Sequence, residues 1–251
     1  EGSLKELKDL STKTKIPLFE LKHSLDPREK PRVTHKKGYS VLIFRAVHTE
    51  NLLQKDTYPI EFIITKNLLV TLTPEKNATL DYVFGEIDAH VWKTLGRDGF
   101  GTIVFRILLR FVRDYESYLE HADDSVDQLE EAALEAHKKH MEGLFDLKKQ
   151  LVFLRRSLYT NKDMINALAS KPSPYLPLNE WYQELITEYA QAISTEGLIQ
   201  DRITSVTYMF LASSNNALNA TMKNLTVIAT IFLVPMLLTS IYGMNLILPL
   251  G

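Results

Sequence analysis

Between Asn224 and Gly251 the chain carries no charged side chain, and Leu225 to Ile241 is almost entirely apolar. A helix rising 1.5 Å per residue over that run spans a hydrocarbon layer of about 30 Å. The competing assignment is a buried hairpin helix of a soluble protein. Pro235 is tolerated inside membrane helices. Tyr242 stands where an interfacial aromatic belongs, and Lys223 marks the opposite edge, which assigns the N-terminal bulk to the cytoplasm. The run is expected to be a membrane helix. At the other end, Glu1-Gly2-Ser3 is followed by no basic-then-apolar stretch and reads as neither a signal nor a transit peptide.

The helix that enters the membrane starts far upstream. After the proline-rich Lys171–Pro177 segment, no proline occurs from Asn179 until Pro235. A helix continuous to Tyr242 would be roughly 95 Å long, more than a single soluble domain uses, so it reads as a stalk. Two shorter helices, over about 102–134 and 137–169, are expected to pack beside it. The N-terminal third has helical spacing at Leu4, Leu7 and Leu10, then period-two runs rich in Val, Ile, Phe and Thr. These predict strands at 33–36 and 39–47 about Lys37-Gly38, and at 58–65 and 68–73 about Lys66-Asn67. Asn77-Ala-Thr79 is placed to cap a helix running to about Leu95, before a break at Gly96, Gly99 and Gly101. The expected fold class is α+β: an α/β sandwich domain over 1–98, a stalk of three long helices over 99–222, and a transmembrane helix over 223–251.

Composition narrows the function. With a net charge of -2 over 251 residues the chain lacks the basic excess of a nucleic-acid binder. It has no cysteine, which excludes disulfide frameworks, zinc–cysteine sites and thiol catalysis. No phosphate loop of the Walker type is present, and the glycines at 96, 99 and 101 have the wrong order for a dinucleotide fingerprint. His137 and His140 fall on a basic, solvated segment. The sequons at Asn77 and Asn219 have no role in a cytoplasmic setting. The chain is expected not to be an enzyme and to use no organic cofactor.

Charge is sorted by helix. Every charged side chain between Asp114 and Glu135 is acidic, whereas the following helix carries Lys138, Lys139, Lys148, Lys149, Arg155 and Arg156. Two antiparallel helices exchanging surface salt bridges would account for part of this. Adjacent acids such as Asp123-Asp124 and Glu130-Glu131 would still repel one another, and an acidic run facing a vestibule would concentrate cations.

Five stretches carry a family resemblance: Tyr242-Gly243-Met244-Asn245 closing the membrane helix, Met222–Phe232 opening it, Leu25-Asp-Pro27 with Pro31-Arg-Val33, Asp114–Glu120 with Asp123-Asp124, and Leu154–Leu158. Together they resemble the CorA family of magnesium channels over essentially the whole chain. The family's opening strand and its second membrane helix with a basic tail are not within this sequence. The resemblance implies passive Mg²⁺ influx, with Co²⁺ and Ni²⁺ as possible secondary substrates, through a homopentamer in the plasma or inner membrane. The N-terminal domain would be cytoplasmic. A zinc-transporting relative and a non-conducting membrane-anchored sensor or scaffold are the alternatives.

Gly243, Met244 and Asn245 would then form a selectivity filter. Mg²⁺ holds its octahedral water shell tightly, so an entrance must read the hydrated ion through hydrogen bonds. The Asn245 amide oxygen and the unobstructed Gly243 carbonyl are suited to accept them in a ring about a symmetry axis. Alone, Asn245 could equally be a helix-end residue. Stepping back along the helix at three- and four-residue intervals gives Ser240, Met236, Leu233, Ala229, Thr226, Met222 and Asn219 on one face. The resemblance makes Asn219, Met222, Leu225 and Leu233 pore-lining, and Met236 stands where many relatives carry threonine. A narrow apolar stretch there would gate by dewetting, although bundle packing produces the same stripe. For regulatory Mg²⁺ shared between protomers, the resemblance points to Glu184. Glu188 lies one turn on, and Glu50 or Asp56 is the partner from the α/β domain. Each of these acids could instead be a solvated surface group.

Overall fold

The computed structural model describes residues 4–48, 57–86, 100–133, 138–171, 175–176 and 179–244. The elements run α1 (Leu4–Thr14), a 3-10 turn (Glu20–Leu25), β1 (Arg32–His35), β2 (Ser40–Ala46), β3 (Tyr58–Ile64), β4 (Leu69–Leu72), α2 (Ala78–Glu86), α3 (Phe100–Ala133), α4 (Lys138–Ser170) and α5 (Asn179–Tyr242). The four predicted strands are present within one or two residues. The 3-10 turn was not foreseen. Gly96 and Gly99 of the predicted break and the last turns of the helix expected to reach Leu95 lie outside the described residues, whereas Gly101 does not break the chain and is buried in the first turn of α3.

The sheet is an antiparallel meander in the order β1-β2-β3-β4. Gly38, at φ +94°, turns the first hairpin, a left-handed conformation in which only glycine is unstrained. Leu42 pairs with Phe62 and Phe44 with Ile60, while Val41 pairs with Ile63. Because side chains alternate across a strand, the even-numbered set of β2 and β3 joins the core under the long helices. Val41, Ile43 and Ile63 join Leu7, Ile16 and Leu21 beneath α1 and the 3-10 turn. Covering both faces leaves the central strands buried at nearly every position. This is the sandwich expected from sequence.

Asn77 caps α2, its Oδ1 accepting the Leu80 N–H at 2.7 Å. The sheet is joined to the helices through rings. Phe44 stacks on Phe111 of α3 with centroids 5.1 Å apart and meets Tyr189 of α5 edge-on at 6.2 Å. Asn161 of α4 ties the same strand down by accepting the Arg45 N–H and donating to the Arg45 carbonyl.

Along α5 the buried positions are Tyr182, Leu185, Tyr189, Ala192, Glu196, Ile199, Ile203, Val206 and Phe210. The spacing alternates three and four without a break, the 3.5-residue repeat of a knobs-into-holes seam. α3 and α4 fill that seam as far as Phe210. From Ser214 to Met244 every described residue of α5 is exposed, so a helix of 64 residues, about 96 Å, is packed for half its length and bare for the rest.

Candidate functional site: the exposed face of the long helix

The seam fixes the rotation of α5 and therefore which residues face away from the body. Positions two and five residues beyond each seam pair lie nearly opposite it on a 3.5-residue repeat. They are Glu184, Thr187, Gln191, Ser194, Leu198, Asp201, Ser205, Tyr208, Ala212 and Asn215, all exposed. Continued without a phase change, the series gives Asn219, Met222, Thr226, Ala229, Leu233, Met236, Ser240 and Gly243. Burial sets this face only as far as Phe210; from Ser214 onward every described residue is exposed, and the continuation to Gly243 is read from the spacing alone. Leu225 lies beside this stripe, one turn after Met222. Met222, Leu225, Leu233 and Met236 are each more than half exposed.

Glu188 differs from Glu184. It is half-buried at the edge of the seam, close to Glu116 of α3. Burial, and after it the Glu188 carboxylate, push the Glu116 carboxyl above the usual range, with Arg113 opposing. Glu50, Asp56 and Asn245 lie outside the described residues.

In the apolar segment the threonine hydroxyls are satisfied locally. Thr226 donates to the Met222 carbonyl at 2.8 Å, Thr230 to Thr226 at 2.8 Å, and Thr239 to Met236 at 3.0 Å. In hydrocarbon each would otherwise be an unpaired polar group. Pro235 offers no N–H, yet the helix continues through it. At the far end the Gly243 N–H bonds the Thr239 carbonyl at 2.9 Å and the Met244 N–H bonds Ile241 at 3.3 Å, so the last turn tightens. A methyl group at Gly243 would sit 3.2 Å from the Thr239 oxygen.

The charge pattern resolves differently from the expected exchange between α3 and α4. Asp123, Asp127 and Glu130 of α3 converge on Arg202 of α5, with Glu130 at 3.3 Å. Arg202 is the one basic residue between Trp181 and Met222. That isolation was the sequence signal for its role, and periodicity alone passed over it. From α4, Arg155 pairs with the buried Glu196 at 3.3 Å. Among the described residues no cluster of three or more His, Asp or Glu is arranged to hold a metal ion within one protomer. Cation sites between protomers are compatible with that.

Comparison with known proteins agrees over the full length. The family model "CorA-like Mg2+ transporter protein" matches residues 2–251. The "Cobalt/magnesium transport protein CorA" of Methanocaldococcus jannaschii is 31% identical over 248 residues, covering 96% of this chain and 76% of that protein. The complete structure of the CorA magnesium transporter from the same organism superposes with a TM-score of 0.87 at 30% identity, over 99% of this chain and 79% of that one. A "Zinc transport protein ZntB" from Yersinia enterocolitica is 22% identical over 227 residues, covering 86% of this chain and 66% of that protein. The small sheet, the long helices and the apolar C-terminal helix are those of a metal-ion transporter, and the chain belongs to the CorA-like Mg²⁺ transporter family.

Proposed function

We propose that this chain is the cytoplasmic and first membrane-spanning part of a passive Mg²⁺ influx channel in the cell membrane, with Co²⁺ and Ni²⁺ as secondary substrates. The observation that carries the reading is the apolar half of α5, long enough to cross a membrane and exposed at every described residue from Ser214 to Met244. Copies of that half around a symmetry axis, five if the family pattern holds, enclose a pore. Asn219, Met222, Leu225, Thr226, Ala229, Leu233, Met236 and Ser240 line it, and Gly243, Met244 and Asn245 form its entrance. The membrane potential supplies the driving force, about 4.6 kcal/mol for a dication at 100 mV, twice the single-charge value.

Regulation is assigned to the stalk half of the same helix, where Glu184 is exposed. Glu184, with Glu188 as a weaker ligand and Glu50 or Asp56 from the α/β domain of a neighbouring protomer, would hold Mg²⁺ when the cytoplasm is replete. Loss of the ion leaves like charges facing one another and loosens the ring. The α/β domain spans 1–98 and the stalk 99–222, with the membrane helix over 223–251.

The test is Mg²⁺ uptake into liposomes containing the complete transporter under an inside-negative potential. Potential-dependent uptake that disappears with Asn245→Ala supports the channel and its entrance ring. Uptake of Zn²⁺ in preference to Mg²⁺ moves the assignment to a zinc transporter. No flux of either ion from an assembled oligomer makes the protein a sensor or scaffold.

A further inference from the structure

A cleft of about 620 Å³ opens between the Pro27–Pro31 loop and the outer face of α4, with Arg45 and Thr57 at its floor. Its charge runs against the rest of the protein. Arg28, Lys30, Arg45 and Arg156 line it, whereas the chain as a whole is net -2. The one acid at the rim, Glu29, is engaged by Arg32 Nε at 3.0 Å and lies 3.7 Å from His23.

The cleft is also built in advance. Arg45 Nη1 donates to the carbonyls of Pro27 at 2.9 Å and Glu29 at 3.0 Å, pinning the loop that carries Arg28 and Lys30. Arg45 Nε donates to Thr57 Oγ1 at 2.8 Å, and that hydroxyl lies 2.6 Å from Ser157 Oγ of α4. Pro27 and Pro31 restrict the backbone on either side of the loop. Little ordering therefore remains to be done when a ligand arrives.

The Arg45 fork is already committed, its Nη2 donating to the Thr57 carbonyl as well, so the cations left for a ligand are Arg28, Lys30 and Arg156. Guanidinium forks match phosphate oxygens, and three cations on one cleft suit a polyphosphate better than a lone carboxylate. The volume falls in the range of small-molecule sites, about 300–1,000 Å³. The ring of Phe153, 37% exposed, lines the cleft and offers a stacking surface. We infer that this cleft binds a soluble phosphate-bearing anion of nucleotide size. A lipid headgroup does not fit. Arg155, beside the cleft, is level with Glu196, about 40 Å of helix before Lys223. Binding here is separate from ion conduction, and its failure would leave the transport reading untouched.

The experiment is calorimetric titration of the detergent-solubilised protein with ADP and with inorganic tripolyphosphate. Both probes are expected to saturate below about 1 mM, with affinity falling as salt rises. The exposed-site variants Arg156→Glu and Lys30→Glu should each weaken both probes by about tenfold or more, because a cation facing phosphate becomes a repelling acid. Lys148→Glu, on the same helix but outside the cleft, should change neither. Phe153→Ala should weaken ADP more than tripolyphosphate. Lack of saturation by about 10 mM, or an equal loss in Lys148→Glu, overturns the site. An equal effect of Phe153→Ala on the two probes overturns the nucleotide assignment.

Discussion

The side-chain amide of Asn161 on α4 pairs with both backbone polar groups of Arg45 on β2, accepting from the N–H at 3.0 Å and donating to the carbonyl at 2.9 Å. β1 begins at Arg32, opposite Ile43, so Arg45 lies past the reach of that neighbour. Asn161 therefore does for one residue what a strand would do, and it is fully buried while doing so. The Arg45 carbonyl also accepts from the Tyr115 hydroxyl at 2.8 Å, so Asn161→Leu orphans the N–H alone and is expected to cost about 1–3 kcal/mol, read as a lowered denaturation midpoint of the solubilised protein. A loss under about 0.5 kcal/mol would mean that water replaces the amide.

Gly243→Ala separates filter from fold. The added methyl is 3.2 Å from the Thr239 oxygen, a crowding the helix end relieves by a small shift. The preference for alanine over glycine, about 1 kcal/mol in a helix interior, acts only in part at Gly243, one residue past the end of α5. Stability should be unchanged or slightly higher, while Mg²⁺ uptake falls by about tenfold or more because the entrance carbonyl is displaced. Unaltered uptake would remove Gly243 from the entrance.

Glu184→Gln should raise the Mg²⁺ concentration that half-protects the assembled protein from protease by about threefold or more. Glu188→Gln should shift it less, since Glu188 sits against Glu116 at the edge of the seam and not on the open face. Equal shifts, or none in Glu184→Gln, would assign regulation elsewhere.

Glu196 supplies the pH dependence. Burial raises its carboxyl above the ordinary value, opposed by Arg155 and by the hydrogen bond from Gln200 at 2.6 Å. A raised folded-state value means that the folded protein holds the proton more tightly than the unfolded chain. Its contribution is most favourable below the unfolded value and declines as pH rises through the folded one. Glu196→Gln keeps a partner for Gln200, and Arg155, with its side chain 43% exposed, can turn to water. The variant should be as stable as the parent or more so at about pH 7, with the difference closing toward about pH 4. Thermal melts across that range decide it, and a marked loss at neutral pH would show that the ion pair outweighs its desolvation.

Much of this protein is local and was legible in the chain. The strands followed from β-branched runs punctuated at Lys37-Gly38 and Lys66-Asn67, the α2 cap from Asn77, and the length of α5 from the absence of proline between Asn179 and Pro235. The membrane segment followed from the absence of charge after Lys223, because charge and backbone hydrogen bonding constrain any helix in hydrocarbon whatever surrounds it. Even the stripe from Asn219 to Gly243 was readable, since helical spacing alone puts those residues on one side.

Tertiary structure decided which way the stalk half of that helix faces. Only the burial of Tyr182, Tyr189, Ile203 and Phe210 against α3 and α4 sets its rotation and turns Glu184 to the open side. It also decided the partners of charge. Asp123, Asp127 and Glu130 of α3 converge on Arg202 of α5, and Asn161, ordinary in sequence, completes a strand that lies 116 residues away. Periodicity reports one helix at a time, whereas ion pairs and borrowed hydrogen bonds depend on distances between elements that exist only after the core has packed.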